Sequence, residues 1–349
     1  MAAIFNPPMS TQRYCWVQDF ISQDQSIKSV TDIGCSYGRM VIWLKHIANL
    51  ELINCIDKDL RTIEDGLETN FQPNLFEMLF GRKNSEKRLD IKVYHGDIVV
   101  PDDRLKADCF TMVEFIEHIP LDHLERVCQT VFAYYKPRYV IVTTPNAEFN
   151  PLIDLHSTIR KKLQELKEQE KKLQLDAAIN ADAIRTIKDS ISTLELQLNS
   201  PAGIQQLVVQ SPPRYRHSDH KFEWNRAEFA HWASFVARTY CYEVSFGGVG
   251  KLPGSEPLGP CTQIALFTRS DNNTSQTGAT MEDPALCFDL LINKLSVQES
   301  EPEFLGDASL RRVCLRAQYH IPGTPADSTQ ESEICTKWSD TQDDGMIAT

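Results

Sequence analysis

Short apolar runs alternate with candidate helices from about residue 29 to residue 145. Residues 29–35, 52–58, 90–97, 107–116 and 139–145 are brief, apolar and rich in Val and Ile, the pattern of strands covered on both faces of a parallel sheet. Stretches near 39–48, 61–67 and 121–135 separate them and are predicted to be helices. A strand–helix–strand series of this kind predicts a doubly wound α/β fold, which binds ligands beyond the carboxyl ends of its strands. Further along, 226–240 reads as a helix, and 242–249 and 262–269 as two more strands.

Residues 155–199 break the alternation. They contain no Gly or Pro and place mostly Ile, Leu or Ala at a 4/3 spacing from 159 to 198, with Glu170 and Asn180 as polar exceptions. That spacing predicts a long amphipathic helix or a helical hairpin of coiled-coil character. The 155–210 segment is therefore read as a helical insertion, either a solvated element or a surface for self-association or partner docking. It divides an α/β unit made of 1–154 and 211–270. From about Ser270 the chain turns rich in Ser, Thr, Asp and Gln, so 271–349 is expected to be an acidic, disordered tail. Two apolar islands in it, 286–295 and 304–315, read as short docking helices.

Composition sharpens this picture in three places. The 349 residues, 42% of them hydrophobic, suffice for one large α/β domain with accessories. No apolar run of about 18 residues occurs, so no membrane span is expected, and the first ten residues lack a signal-peptide pattern. Ten cysteines are scattered without a CxxC pair, several within apolar strand-like runs, which suggests buried thiols and a cytoplasmic location. The net charge of −12 argues against a broad nucleic-acid-coating surface. Of 48 acidic and 36 basic side chains, however, 14 and 5 lie in 271–349, which leaves 34 and 31 in the other 270 residues. A nearly neutral body can still carry a local basic patch.

The chemistry-bearing residues sit at the predicted strand ends. The first strand runs into Asp32-Ile33-Gly34-Cys35-Ser36-Tyr37-Gly38, a glycine turn before a helix, where a ligand can approach the backbone closely. Asp57, at the end of the second strand, is placed to accept hydrogen bonds from ribose hydroxyls. His95-Gly96-Asp97 closes the third, where a carboxylate can meet an adenine amino group. The D-x-G-x-x-x-G turn departs from the G-x-G-x-x-G of nicotinamide enzymes and resembles the first motif of class I S-adenosylmethionine methyltransferases. That resemblance implies a Rossmann-like, mostly parallel seven-stranded sheet with S-adenosylmethionine as cofactor. Its expected contacts are Asp32, Gly34, Cys35, Gly38, Asp57 and Asp97.

The fourth strand leads into Glu114-Phe115-Ile116-Glu117-His118-Ile119-Pro120. On a helical turn Glu114, Glu117 and His118 would share one face, and two carboxylates with an imidazole suit Mg²⁺, Mn²⁺ or another borderline divalent cation. Alone this set does not separate a metal site from the Glu-His of metal-free methyltransferases. A second patch, Arg214-Tyr215-Arg216-His217-Ser218-Asp219-His220-Lys221-Phe222-Glu223-Trp224, offers a histidine to complete a two-Glu, two-His set. It also offers basic residues for phosphates and aromatics that pack a base or the core, the core being the reading for Trp224. His95, His123 and His231 read as surface or packing residues.

Taken with Phe5-Asn6-Pro7-Pro8, Gln12-Arg13-Tyr14 and Pro145-Asn146-Ala147-Glu148-Phe149-Asn150, these segments resemble the Hua-enhancer family of small-RNA 3′-terminal 2′-O-methyltransferases. The likeness spans about residues 5–270 outside the insertion, and the hexapeptide 219–224 is its most specific element. It implies Glu114, Glu117, His118 and His220 as metal ligands and catalytic residues, with His217 competing for the fourth place, and puts 146–150 near the active-site wall. It further implies a small-RNA 3′ end as substrate and an Argonaute or Piwi protein as the partner that delivers it, in RNA-mediated gene silencing. A cation touching the 2′- and 3′-oxygens would stabilise the 2′-alkoxide, with His118 or His220 a candidate proton relay. The chain departs from the family in the length of the insertion, across which His220 must return. Two other readings stand beside this one. A metal-independent small-molecule or protein methyltransferase is the first. A non-catalytic scaffold is the second, although its expected loss of the glycine turn and acidic strand ends is not seen.

Overall fold

The structure, a computed structural model, describes residues 4–67, 69–72, 89–174, 181–208, 217–270 and 311–313. Its elements run α1 (Met9–Gln23), β1 (Ser29–Ile33), α2 (Arg39–Leu44), β2 (Leu52–Asp57), α3 (Leu60–Leu67), β3 (Asp90–His95), β4 (Cys109–Val113), α4 (Leu121–Cys128) and β5 (Tyr139–Pro145). The helices α5 (Asn150–Leu173), α6 (Ala181–Asn199) and α7 (Pro201–Val208) follow. Then come α8 (Arg226–Tyr240), β6 (Tyr242–Val249), β7 (Thr262–Arg269) and a three-residue strand β8 (Arg311–Val313).

One eight-stranded sheet has the order β6-β7-β5-β4-β1-β2-β3-β8. The five predicted strands β1–β5 pair in parallel, while β7 runs antiparallel between β5 and β6. This is the predicted seven-stranded, mostly parallel sheet with one short strand added on the open edge of β3. Arg311–Val313 belongs to the second apolar island and forms a strand there, not a docking helix. The rest of the acidic tail, with the other island, lies outside the described residues.

Successive side chains of each central strand enter opposite cores, which explains the near-continuous apolar runs. Phe110, Met112, Val140, Val142 and Phe267 pack with Phe132 and Trp232 on one face. Cys109, Ile141 and Ile264 join Val30, Ile53, Cys55 and Ile91 on the other. Each fully buried Val, Ile or Phe among them stabilises the fold by about 1.5–3 kcal/mol. Among the described residues no helix is long and apolar enough to cross a membrane.

The structure departs from the expected boundaries where the backbone turns toward the cavity. β1 stops at Ile33 and β4 at Val113 because Gly34 and Glu114 adopt left-handed φ angles of 71° and 51°, which a ladder cannot continue. The predicted 121–135 helix is α4 followed by a π-helical stretch, Gln129–Tyr135, that ends on a left-handed Lys136. The insertion folds as a hairpin: α5 starts at Asn150, earlier than the apolar spacing suggested, and α6 returns beside it. Lys167 pairs with Glu195 at 2.6 Å and Lys188 with Glu170 at 3.8 Å across the two helices. The hairpin's root packs with Phe5, Phe149, Leu152, Ile159, Leu198 and Cys261. Helix α1 has no counterpart in the sequence reading: Val17 and Ile21 are its fully buried apolar positions, too few to stand out as a stripe.

Candidate cofactor and metal site

A cavity of about 840 Å³ opens beyond the carboxyl ends of β1, β2, β3 and β4. Asp32, Gly34, Cys35, Asp57 and Asp97 line one end of it, and Glu114, His118 and His220 the other. At the first end the glycine turn is held by close packing as much as by its left-handed backbone. A Cβ on Gly34 would lie 2.4 Å from Phe115 Cδ2, and one on Gly38 would lie 2.6 Å from Phe71 Cε1. Gly38 is off the cavity wall: it is the left-handed N-cap of α2. There it shapes the turn that sets its neighbours Tyr37 and Arg39 along the cavity.

Asp57 braces this turn, accepting from the Ser36 N–H at 2.8 Å and the Asp59 N–H at 2.9 Å. Asp97 accepts from the Val99 N–H at 3.1 Å and pairs with His123 Nε2 at 3.1 Å. His123 thus lines the cavity and holds a carboxylate there, which corrects its reading as a packing residue. His95 meets the Lys58 carbonyl and His231 is exposed on α8, as expected of surface residues.

Asp32 is buried beneath the turn, where Thr111 Oγ1 donates to it at 2.7 Å. Burial pushes its carboxyl up to about 7 against the Thr111 hydrogen bond, and Asp57 adds to the rise. A raised carboxyl means that the folded chain keeps a proton that the unfolded chain has lost. This group therefore removes stability as pH climbs from about 4 to about 7 and nothing further above that. Asp32→Asn, neutral throughout, is expected to gain stability over the native protein by on the order of 2–4 kcal/mol between pH 5 and pH 8. Chemical denaturation of the ligand-free proteins at both pH values checks this; a difference independent of pH would contradict it.

At the other end the chain does not turn as one helix. Glu114 stands left-handed before a 3₁₀ turn, Ile116–His118, so it does not share a helical face with Glu117 and His118. Its carboxylate is engaged instead: Thr143 Oγ1 donates to Oε1 at 3.0 Å and Arg13 Nη1 lies 3.2 Å from Oε2. Glu117 is 1% exposed, with Thr144 Oγ1 donating to its Oε2 at 3.0 Å. Its Oε1 is buried without a hydrogen-bond partner among the described residues. Burial, helped by the Glu114 charge, pushes the Glu117 carboxyl well above the usual carboxylate range.

The chain returns from the insertion to this turn. The Lys221 N–H donates to the Glu117 carbonyl at 2.7 Å, which sets His220 against His118 with ring centroids 4.7 Å apart. Glu117, His118 and His220 each present one ligand atom within 4.8 Å of the others. His118 Nδ1 lies 3.0 Å from Asp219 Oδ2, and His220 Nδ1 is hydrogen-bonded to Glu223 Oε1. Burial holds the His118 imidazole below its usual pKa although Asp219 opposes the shift, which favours the neutral, ligating form. His217 lies outside the trio, exposed and paired with Asp219. Glu114 shares the cavity but not the trio.

Phe222 and Trp224 pack with ring centroids 4.2 Å apart at a tilt of 32° and are buried, Trp224 in contact with Trp232; neither is free to take a base. Arg214, Tyr215 and Arg216 lie outside the described residues. Asn146, in the segment expected at the wall, donates to the Leu258 and Pro260 carbonyls and ties that wall down. Arg13, Asp219 and Glu223 carry no individual role in the sequence motifs, and Asn150 only a place near the wall. The signal for two of them was present, because Asp219 and Glu223 flank His220 within three residues.

Sheet order, cavity position and acidic strand ends together define the fold of the S-adenosylmethionine-dependent methyltransferases. A small RNA 2′-O-methyltransferase of Mus musculus is 32% identical over 283 residues, which are 80% of this chain and 55% of that protein. One of Gallus gallus is 26% identical over 316 residues, 90% of this chain and 68% of that protein. The crystal structure of the small RNA methyltransferase HEN1 superposes with a TM-score of 0.53 at 25% identity, covering 79% of this chain and 27% of that one. No protein-family model matches. Over most of its length the chain is similar to the small RNA methyltransferases of the Hua-enhancer family. It spans about half the length of the mouse protein.

Proposed function

We propose that this chain methylates the 2′-hydroxyl of the 3′-terminal nucleotide of small RNAs, with S-adenosylmethionine as donor and a divalent cation held by Glu117, His118 and His220. The observation that carries the metal reading is the buried Glu117 Oε1, without a partner in the described residues and grouped with two imidazoles. A buried carboxylate oxygen with no donor is costly, and a cation beside it removes that cost. Both imidazoles have Nδ1 committed to a carboxylate, which leaves Nε2 as the ligating nitrogen, the arrangement usual around bound metals. Glu114 is the fourth candidate, released to the site if its Arg13 contact opens.

The cation, Mg²⁺, Mn²⁺ or a similar ion, would supply Lewis acidity that favours the alkoxide of a ribose touching it through both terminal oxygens. The chain's own residues do the rest. Asp57 and Asp97 keep spare lone pairs for the donor's ribose and adenine, and the Gly34 turn fixes the donor's position along the cavity. His118 and His220 cannot act as free bases at Nδ1, which their carboxylates occupy. Approximation of the hydroxyl and the donor methyl then contributes through orientation. Delivery of the RNA by an Argonaute or Piwi protein is a reading from the family alone. Self-association through the hairpin has less support, because Ile159, Ile187, Ile191 and Leu198 are already buried.

The test is methyl transfer to a short single-stranded RNA, followed by periodate. Expected is a periodate-resistant product that chelator abolishes and added Mn²⁺ or Mg²⁺ restores. Transfer indifferent to chelator would favour the metal-independent reading.

A further inference from the structure

A buried pair of side chains joins the root of the insertion to the proposed metal site. Asn150 is the first residue of α5, with Pro151 in the first turn behind it. Its Nδ2 donates to Glu223 Oε2, while Glu223 Oε1 holds His220 Nδ1. The Glu223 side chain has no exposed surface and Asn150 is 2% exposed. A carboxylate removed from water is costly unless donors meet both oxygens, and here one donor comes from the site and the other from the insertion. The flanking Phe222 and Trp224 are buried packing residues, so the Glu223 carboxylate sits between two apolar side chains along the chain. An acceptor on Nδ1 fixes the proton there, sets the ring plane and strengthens Nε2 as a ligand.

We propose that Glu223 is a positioning residue for His220 and that Asn150 orients Glu223, so that docking of the hairpin root is part of assembling the Glu117–His118–His220 cluster. The proposal rests on the metal reading above. It predicts a specific hydrogen-bond polarity: the Asn150 amide N–H and the His220 imidazole N–H both donate to the Glu223 carboxylate. Asn150→Asp sets two carboxylates against each other. Glu223→Gln sets an amide N–H₂ against that of Asn150 when its oxygen faces His220. Combining N150D with E223Q restores a donor–acceptor match at both of these contacts with the same net charge.

The experiment titrates Mn²⁺ into the full chain and its three variants by calorimetry, with thermal unfolding and S-adenosylhomocysteine binding as checks on the fold. Each single substitution is expected to weaken Mn²⁺ binding about 10–100-fold, and the double variant to recover most of the loss. Nitrogen NMR of the metal-free native protein supplies a second readout, with His220 expected to carry its proton on Nδ1. Mn²⁺ binding unchanged in the single variants, or lost in all three alike with the fold intact, would overturn the proposal. So would a His220 proton on Nε2 in the native protein, whatever the variants do. Failure of the native chain to bind Mn²⁺ would sink the metal reading instead, and the NMR result would still decide the positioning role.

Discussion

Glu117→Ala is expected to lower methyl transfer by at least about a hundredfold, the loss that corresponds to several kcal/mol of charge stabilisation at the ribose oxygen. Binding of S-adenosylhomocysteine should be unchanged. The separation follows from the geometry. Glu117 sits on the 3₁₀ turn beneath the His118 end of the cavity, and the residues that line the cofactor end do not include it. Its side chain contributes little to the ligand-free fold, because one oxygen is unpaired and burial opposes its charge. Thermal unfolding of the variant without metal is accordingly expected to show no loss beyond that of a small cavity. Parallel loss of cofactor affinity and activity would mark a folding defect and remove Glu117 from the chemistry.

An RNA ending in 3′-deoxyribose is expected to be methylated at least about a hundredfold more slowly than the same RNA with a free diol. On the proposed reading the terminal ribose would be held through both oxygens, and the deoxy end would leave one position without its partner. A 2′-hydroxyl placed internally should be equally poor, since its 3′-oxygen is esterified. Single-turnover transfer under saturating cofactor gives the ratio directly. Equal rates for deoxy and diol ends would exclude contact through both oxygens and leave a methyltransferase that reads its RNA another way.

The sheet was legible because parallel strands buried on both faces write their length into the sequence: β5, β6 and β7 lie where the apolar runs place them. Strand ends were less legible, since the left-handed Glu114 carries no sequence mark of the kind glycine gives Gly34. Helix α1 escaped because it fully buries just Val17 and Ile21, and its other core contacts come from half-buried aromatics such as Tyr14 and Trp16 and not from a periodic stripe. In the site, Glu117 and His118 were visible as neighbours, and His220 through the hexapeptide that carries the family likeness. What holds them was not. Arg13 reaches Glu114 across about a hundred residues, and Asn150 reaches Glu223 across the whole insertion. His123 was misread for the same reason: its partner Asp97 is adjacent only after β3 and α4 pack.

The most direct measurement of the central claim is calorimetric titration of Mn²⁺ into the native chain and into Glu117→Ala under identical conditions. One binding site in the native protein, absent from the variant, is the predicted result. No site in the native protein, or the same site in both, would contradict the account.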